Sequence, residues 1–422
     1  MAVTQNESNI GKNMLKLLSG EVSGRILAIL LTPIITRLYL PADFGVLAVF
    51  NSLIAVITPF GCLKYPLAIP IARNDSAMIN LVSLSLIILL TITSIFTITL
   101  SIWGDSLLAA CNMQEIVKYW YLIPISFICI GIYEILSNIC IRDKKFTIFA
   151  TTSVLQKAIG AGVKILFGYI HIRPTGLLLG DIISQSGGVT ILTRNILKRY
   201  KFRRTVISRK RICLVAQRYN MFPRYRVPSQ VFLALSGSLP ILYFAWQFSS
   251  TVVGEIGLAR TMLSIPVTFV GASIGKAFYG EIAKTKVKDI RFLSSLTYKI
   301  IKKLFLLSII PFAILIIAGP EIFSIVFGAE WYEAGKYARI MSIFLIFQFV
   351  YSPISEGVFN VCKKQKSLFL LEFSRILLIL ISLGTSYFLD LSSMNTILVY
   401  SMALAIQYII SLIVVLNIIN HE

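Results

Sequence analysis

Apolar residues follow one another along the chain in blocks of about 20, separated by shorter polar stretches. A helix of that length crosses the hydrocarbon core of a bilayer, which is about 30 Å thick. The pattern therefore predicts an all-α polytopic membrane protein with twelve membrane-spanning helices, at residues 15–37, 45–71, 79–103, 117–141, 146–170, 174–195, 228–250, 257–280, 300–326, 335–361, 367–389 and 394–418.

The composition agrees with this pattern. Of the 422 residues, 56% are hydrophobic and only 14% are charged, whereas a soluble protein carries about 25% charged residues. The helices are therefore predicted to pack against one another in lipid, without a separate soluble domain.

The net charge of +21 would suggest a nucleic-acid partner in a soluble chain. Here the positive-inside rule accounts for it, because Lys and Arg concentrate in loops on the cytoplasmic side. With the N-terminus inside, the cytoplasmic segments hold 28 Lys and Arg, and the outer loops hold about four. We predict that both termini are cytoplasmic and that the protein binds no nucleic acid.

The longest polar segment lies at the middle of the chain and holds twelve Lys and Arg between Arg194 and Arg226. It divides the chain into an N-terminal six-helix bundle (1–197), a basic cytoplasmic linker (198–227) and a C-terminal six-helix bundle (228–422). We interpret the linker as a topology anchor that contacts anionic membrane lipids. A dock for a dedicated partner or substrate is the alternative.

The two predicted bundles resemble each other in sequence. Four residues recur at an offset of 222: Glu134, Asn138, Cys140 and Lys144 match Glu356, Asn360, Cys362 and Lys366. A second sequence match pairs "DFGVLAVFNSL" with "VVGEIGLARTML", aligned on Gly45 and Gly254. The two matches predict a parallel repeat of two six-helix bundles, as in many secondary transporters.

Several ionisable residues fall inside the predicted spans, where each central charge costs about 2.5–3.5 kcal/mol on insertion scales. They should therefore face an aqueous cavity or an oppositely charged partner. The candidate contacts for an anionic substrate are Arg25, Lys64, Lys157, Lys164 and Arg260, and the candidate gating or coupling residues are Glu21, Glu134, Asp181 and Glu356.

Lys157 and Lys164 lie seven residues apart in the fifth span and share one helix face, with Gly160 and Ala161 between them. One interpretation is a wet groove that admits an anion. The other is that internal carboxylates neutralise the lysines, with Asp181 as the partner of one of them.

The other carboxylates have candidate partners of opposite charge on the same helix or in nearby loops. Glu21 with Arg25 and Glu372 with Arg375 are spaced to pair on one helix face. Glu134 and Glu356, near the inner ends of their spans, are expected to make gating contacts with the basic loops.

Several kinds of chemistry find no support in the sequence. There is no GxxxxGKS/T phosphate loop, no CxxC pair among the six cysteines, and only two histidines. The outer loops are short and carry no convergent acids or histidines. We therefore predict no enzyme activity, no cofactor and no bound metal.

The spans and repeat, together with "RLYLPADFGVLAVF", "VVGEIGLA" and "GAEWYEAGKYARIM", make the chain resemble the polysaccharide-export flippases. These are the Wzx-type O-antigen translocases of the multidrug/oligosaccharidyl-lipid/polysaccharide exporter superfamily. The resemblance implies a V-shaped pair of six-helix bundles around a cationic central cavity, alternating access and a bacterial inner membrane. It also implies that Arg25 and Arg260 match functional arginines of related flippases.

The implied substrate is an undecaprenyl-pyrophosphate-linked oligosaccharide, moved from the cytoplasmic to the periplasmic leaflet. Other polysaccharide-assembly proteins are a further expected class of partner. The alternatives are a drug/cation antiporter of the same superfamily, with Asp181 or Glu21 as its membrane carboxylate, and a membrane polysaccharide polymerase. The short outer loops argue against the polymerase.

Overall fold

The structure is a computed structural model that describes residues 22–110, 114–199, 207–284, 290–362 and 364–421. These residues form helices joined by short connections, and they contain no strand. The helices are α1 (22–38), α2 (Pro41–Ile57), α3 (Asp75–Ala110), α4 (Gln114–Val117), α5 (Leu122–Arg142), α6 (Phe146–Tyr169), α7 (Thr175–Ser186), α8 (Val189–Arg199), α9 (Arg209–Arg218), α10 (Val227–Gln247), α11 (Ser250–Lys284), α12 (Ile290–Phe327), α13 (Tyr332–Val361), α14 (Gln365–Phe388) and α15 (Ser393–His421).

Helices occupy most of the described part of every predicted span. The sixth is divided between α7 and α8 at Gly187 and Gly188, and the second is irregular after α2. Within the described ranges, nine segments are long and apolar enough to cross a membrane. The protein is therefore a multi-pass membrane protein, and the exact count of twelve spans stays a prediction.

The chain divides into two compact units, Met1–Ser250 (unit 1) and Thr251–Glu422 (unit 2). Helix α10 belongs to unit 1 because it packs against α2. The chain just after α10 also approaches α2 closely, since a Cβ on Gly45 of α2 would lie 2.0 Å from the Ser250 carbonyl oxygen. The bundle boundaries given by the sequence stay a prediction.

The interior of unit 1 is packed mainly by α3, α5 and the segment between α2 and α3. Phe127 of α5 is buried and meets Phe96 of α3 edge to face, with ring centroids 5.5 Å apart. Gly131 of α5 faces Leu89 of α3, where a Cβ would lie 2.5 Å from the leucine side chain. Small residues of this kind let helices in lipid approach closely, where packing replaces hydrophobic driving force.

In unit 2, α13 packs against both α12 and α15. Gly335 lies against Pro320, and a Cβ there would come 2.4 Å from the Pro320 Cα atom. Trp331, just before α13, is fully buried, as are Phe312 and Phe359.

The second predicted span is wrong beyond Phe60. A 3₁₀ turn at Thr58–Phe60 ends α2, and after an irregular stretch a second 3₁₀ helix covers Tyr65–Ile71. The cause is local, because proline lacks the N–H that a helix needs and clashes with the preceding turn. The prolines and the glycine that interrupt this stretch are Pro59, Gly61, Pro66 and Pro70.

The small residues of α6 form a helix contact and not the wall of an open groove. Gly160 and Ala161 are buried, and Gly160 faces Gly180 and Ser184 of α7. A Cβ on Gly160 would lie 2.0 Å from the Ser184 hydroxyl oxygen and 2.5 Å from the Gly180 carbonyl oxygen. The glycine therefore sets the distance between the two helices that carry Lys164 and Asp181.

We expect Gly160→Ala to lower the thermal stability of the protein in detergent, because overpacking a close contact costs about 1–3 kcal/mol. Gly162→Ala is the matched control on the same helix, since a Cβ at Gly162 meets nothing within 4 Å. Melting curves of the two purified variants check this, and equal melting temperatures would contradict the close α6–α7 contact.

Candidate functional site

The described residues in the predicted spans of unit 1 include two ion pairs. The Lys64 ammonium is 2.9 Å from Glu134 Oε1, and the Lys164 ammonium is 2.9 Å from Asp181 Oδ1. The four side chains are between 12% and 19% exposed. In such surroundings each charge is tolerated because it has a partner of opposite sign.

The irregular stretch after α2 positions Lys64. Leu63 and Lys64 both have positive φ, at 46° and 57°, a conformation that is uncommon for residues other than glycine. Non-helical backbone is tolerated at membrane depth where it is buried in protein or lines a cavity. Glu134 was expected to contact the basic loops; it instead pairs with Lys64, because the chain leaves the helix there and meets α5.

A hydrogen-bonded chain extends from Lys164 to α2. The Lys164 ammonium donates to Asp181, and the Gln185 side-chain amide donates to the other Asp181 oxygen at 2.6 Å. The same amide nitrogen lies 3.3 Å from Asn51 Oδ1 on α2. Of the two interpretations of the lysine pair, the carboxylate partner is therefore found for Lys164.

Lys157 lies beside α1. A Cβ on Gly24 of α1 would come 3.3 Å from Lys157 Cγ and 3.2 Å from the Ser153 carbonyl oxygen. Arg25, the next residue, is exposed. The Lys157 charge also acts on Asp181, so both predicted lysines bear on this carboxylate.

A cavity of about 330 Å³ lies within unit 1 and joins these features, since both Lys64 and Gln185 line it. Its other polar groups come from Asn51 and Thr58 and from Gln230 of α10. An ammonium group beside carboxamides and a hydroxyl can bind both phosphoryl oxygens and sugar hydroxyls. The cavity is completed by Ile54, Ala55, Pro59, Ile130, Leu233 and Ala234.

Sequence reasoning missed Asn51, Gln185 and Gln230, because it followed formal charges alone. The available signal was an uncharged amide within an apolar block, since such side chains are rare in lipid and need hydrogen-bond partners.

The remaining predicted site residues lie elsewhere. Arg260 is in α11 of unit 2 and interacts electrostatically with Tyr400 of α15. The expected pair of Glu372 and Arg375 forms on α14. Glu21 lies outside the described residues, and the side chain of Glu356 on α13 lies outside the described part of the chain.

Residues 34–336 match a family model described as polysaccharide biosynthesis protein, which covers well over half of the chain. The chain belongs to this polysaccharide biosynthesis family. No curated protein sequence matches it significantly.

Solved structures with the same fold as this chain include a transporter and a flippase. One is a multidrug resistance MATE family transporter of the MOP superfamily in an inward-facing conformation, with a TM-score of 0.73, 15% identity and 94% of each chain covered. The other is the lipid II flippase MurJ in an inward closed conformation, with a TM-score of 0.73, 14% identity, and 96% of this chain and 87% of that chain covered.

These findings confirm the resemblance seen in the sequence and the predicted all-α polytopic fold. The two solved structures are a transporter and a flippase, which fits the prediction of a protein without enzyme activity. At such low identity the neighbours establish the fold, and the substrate has to be argued from the site.

Proposed function

We propose that this protein is a flippase for an undecaprenyl-pyrophosphate-linked oligosaccharide, an O-antigen repeat unit. It would act in the bacterial inner membrane, with both termini cytoplasmic, beside other polysaccharide-assembly proteins. The family match to polysaccharide biosynthesis and the fold shared with a lipid II flippase support the proposal.

The observation that carries the proposal is that Lys64, which pairs with Glu134, lines a cavity together with three carboxamide side chains. A pyrophosphate cannot cross hydrocarbon alone, and an ammonium group offers it charge-assisted hydrogen bonds in place of water. Glu134 holds the Lys64 ammonium in position while no substrate is bound. A phosphate oxygen can then compete with the Glu134 carboxylate for the Lys64 ammonium, and Glu134 regains the lysine when the substrate leaves.

The carboxamides suit the part of the substrate that carries no charge. Asn51, Gln185 and Gln230 line the same cavity on three different helices. Each carboxamide can donate to and accept from a sugar hydroxyl. The lipid tail would remain in the bilayer while the head group passes, and alternating access would expose the site to each leaflet in turn.

Complementation tests the proposal directly. A flippase-null strain that carries the sugar pathway native to this protein is expected to display surface polysaccharide when the protein is expressed. The control is an empty vector in the same strain. A well-expressed, membrane-inserted protein that restores no surface polysaccharide would show that the proposed substrate is wrong.

The second candidate is a drug/cation antiporter, favoured by the MATE fold and by the intramembrane carboxylate Asp181. An antiporter would take a proton or cation at such a group and raise the resistance of an efflux-deficient strain to cationic dyes. Resistance without rescue of surface polysaccharide would favour this function over the flippase.

A further inference from the structure

The basic segment 207–226, between α8 and α10, does not cross the membrane. Its helix α9 has 10 residues and is therefore only about 15 Å long, half of the hydrocarbon thickness. A π-helical turn at Phe222–Arg226 then leads directly into α10. The segment therefore lies at the end of unit 1 where α10 begins.

One side of this segment is fixed to unit 1. Val215 and Tyr219 are buried in the core that α3 and α5 form. At the start of α3, the Arg211 guanidinium donates to the Ser76 hydroxyl at 3.3 Å, and the Ser208 backbone N–H donates to Asn80 Oδ1 at 3.4 Å. These contacts set which side chains of α9 remain exposed.

The other side combines large apolar and basic side chains. Leu214 is 64% exposed, Met221 62% and Tyr225 58%. No acidic residue occurs between positions 207 and 226, and six cations are exposed there: Arg209, Lys210, Arg211, Arg218, Arg224 and Arg226. Exposed apolar side chains beside a cluster of exposed cations complement the boundary between acyl chains and anionic headgroups.

The segment is also tied to the candidate site. The Tyr65 hydroxyl donates to the carbonyl oxygen of Ala216 in α9 at 3.2 Å. Tyr65 directly follows Lys64, whose backbone has a positive φ. A force that holds α9 against the membrane therefore reaches the backbone that positions Lys64.

We propose that the 207–226 segment binds anionic phospholipid headgroups of the cytoplasmic leaflet, and that the Tyr65–Ala216 hydrogen bond transmits this binding to the stretch that carries Lys64. The lipid holds α9 in place, and α9 in turn holds Tyr65. The membrane composition thus sets how firmly the irregular stretch is ordered.

The first part of the proposal, lipid binding, is tested on the full-length protein in nanodiscs of phosphatidylcholine with and without phosphatidylglycerol. The triple variant Arg209→Gln/Lys210→Gln/Arg218→Gln is expected to bind phosphatidylglycerol at least about tenfold more weakly by native mass spectrometry, given the attraction of each cation near the surface. Lys364→Gln/Lys366→Gln, at two exposed lysines in another predicted cytoplasmic loop, is expected to change binding less than about twofold.

An equal loss of phosphatidylglycerol binding in both variants, or no loss in the triple variant, would show that the 207–226 segment is not the lipid-binding surface. Phosphatidylglycerol is also expected to raise the melting temperature of the protein, and inorganic phosphate at matched ionic strength should not. If it does, the segment binds free anions and the lipid proposal is wrong.

The second part of the proposal, transmission to the stretch that carries Lys64, is tested in a variant whose sole cysteine is the buried Cys62. The other cysteines are replaced by Ser. Phosphatidylglycerol is expected to slow maleimide labelling of Cys62 in this protein. In the same background, Tyr65→Phe should still bind the lipid, but its labelling rate should no longer depend on it. A lipid dependence that survives Tyr65→Phe would overturn the coupling.

Neither measurement requires the transported substrate. Lipid binding can therefore be absent while export is normal. Conversely, export can be absent while lipid binding and protection of the Cys62 thiol are observed. The two proposals are distinguishable by their separate readouts.

Discussion

Asp181→Ala is expected to reduce the amount of folded protein strongly, whereas Lys164→Ala is expected to leave membrane levels near normal and to impair export. Removing one partner of a buried ion pair costs about 3–5 kcal/mol when the other charge remains unpaired. Asp181→Ala leaves the Lys164 ammonium without the carboxylate that holds it. Lys164→Ala is milder, because Asp181 keeps its hydrogen bond from Gln185 and the nearby charge of Lys157.

The measurement is membrane protein level beside surface polysaccharide in the complementation strain. The double variant Lys164→Ala/Asp181→Ala is the control for the unpaired charge, and we expect it to recover protein level without recovering export. Lys157→Ala should behave like Lys164→Ala, with near-normal level and impaired export. Normal export by both single lysine variants would show that these cations do not contact the substrate. A collapse in the membrane level of either lysine variant would favour a purely structural ion pair.

Much of the fold of this protein is encoded in local pattern. Apolar blocks of sufficient length place the helices, since a helix is the structure in which a single segment satisfies its backbone in lipid. Asp181 could be suspected as the partner of a lysine because α6 and α7 are consecutive helices joined by a short loop. The approach of those helices also has a local signal, the glycines at 160 and 180.

The Lys64–Glu134 pair lay beyond sequence reasoning because its members are 70 residues apart. The pair depends on where α2 ends, and treating 45–71 as one straight helix placed Lys64 on a regular helical face. The prolines around Lys64 marked the interruption, but they carried no information about which helix the lysine would meet. The cavity was missed for a similar reason, since three amides on separate helices converge only in the folded chain.

Lys64→Gly and Lys64→Ala are both expected to abolish export, and Lys64→Gly is expected to be the more stable of the two. Both changes remove the cation and leave Glu134 without its partner. They differ in the backbone, because Lys64 has a φ of 57°, which glycine adopts without strain and alanine does not. The left-handed conformation costs about 1–2 kcal/mol for a residue with a Cβ, so we expect a difference of about 1 kcal/mol after the entropy of glycine is included.

Melting temperatures of the purified variants check the backbone effect, and surface polysaccharide checks the charge. Lys64→Arg is the control that keeps a cation, and it should retain more export than either neutral variant. Wild-type export by Lys64→Gly would mean that the substrate does not need the Lys64 ammonium. Equal melting temperatures for the glycine and alanine variants would mean that the backbone at this position is unstrained. The glycine and alanine variants have the same charge but differ in the backbone conformation that they favour. Their comparison therefore separates the effect of the Lys64 backbone on the cavity wall from the effect of the Lys64 ammonium on the substrate.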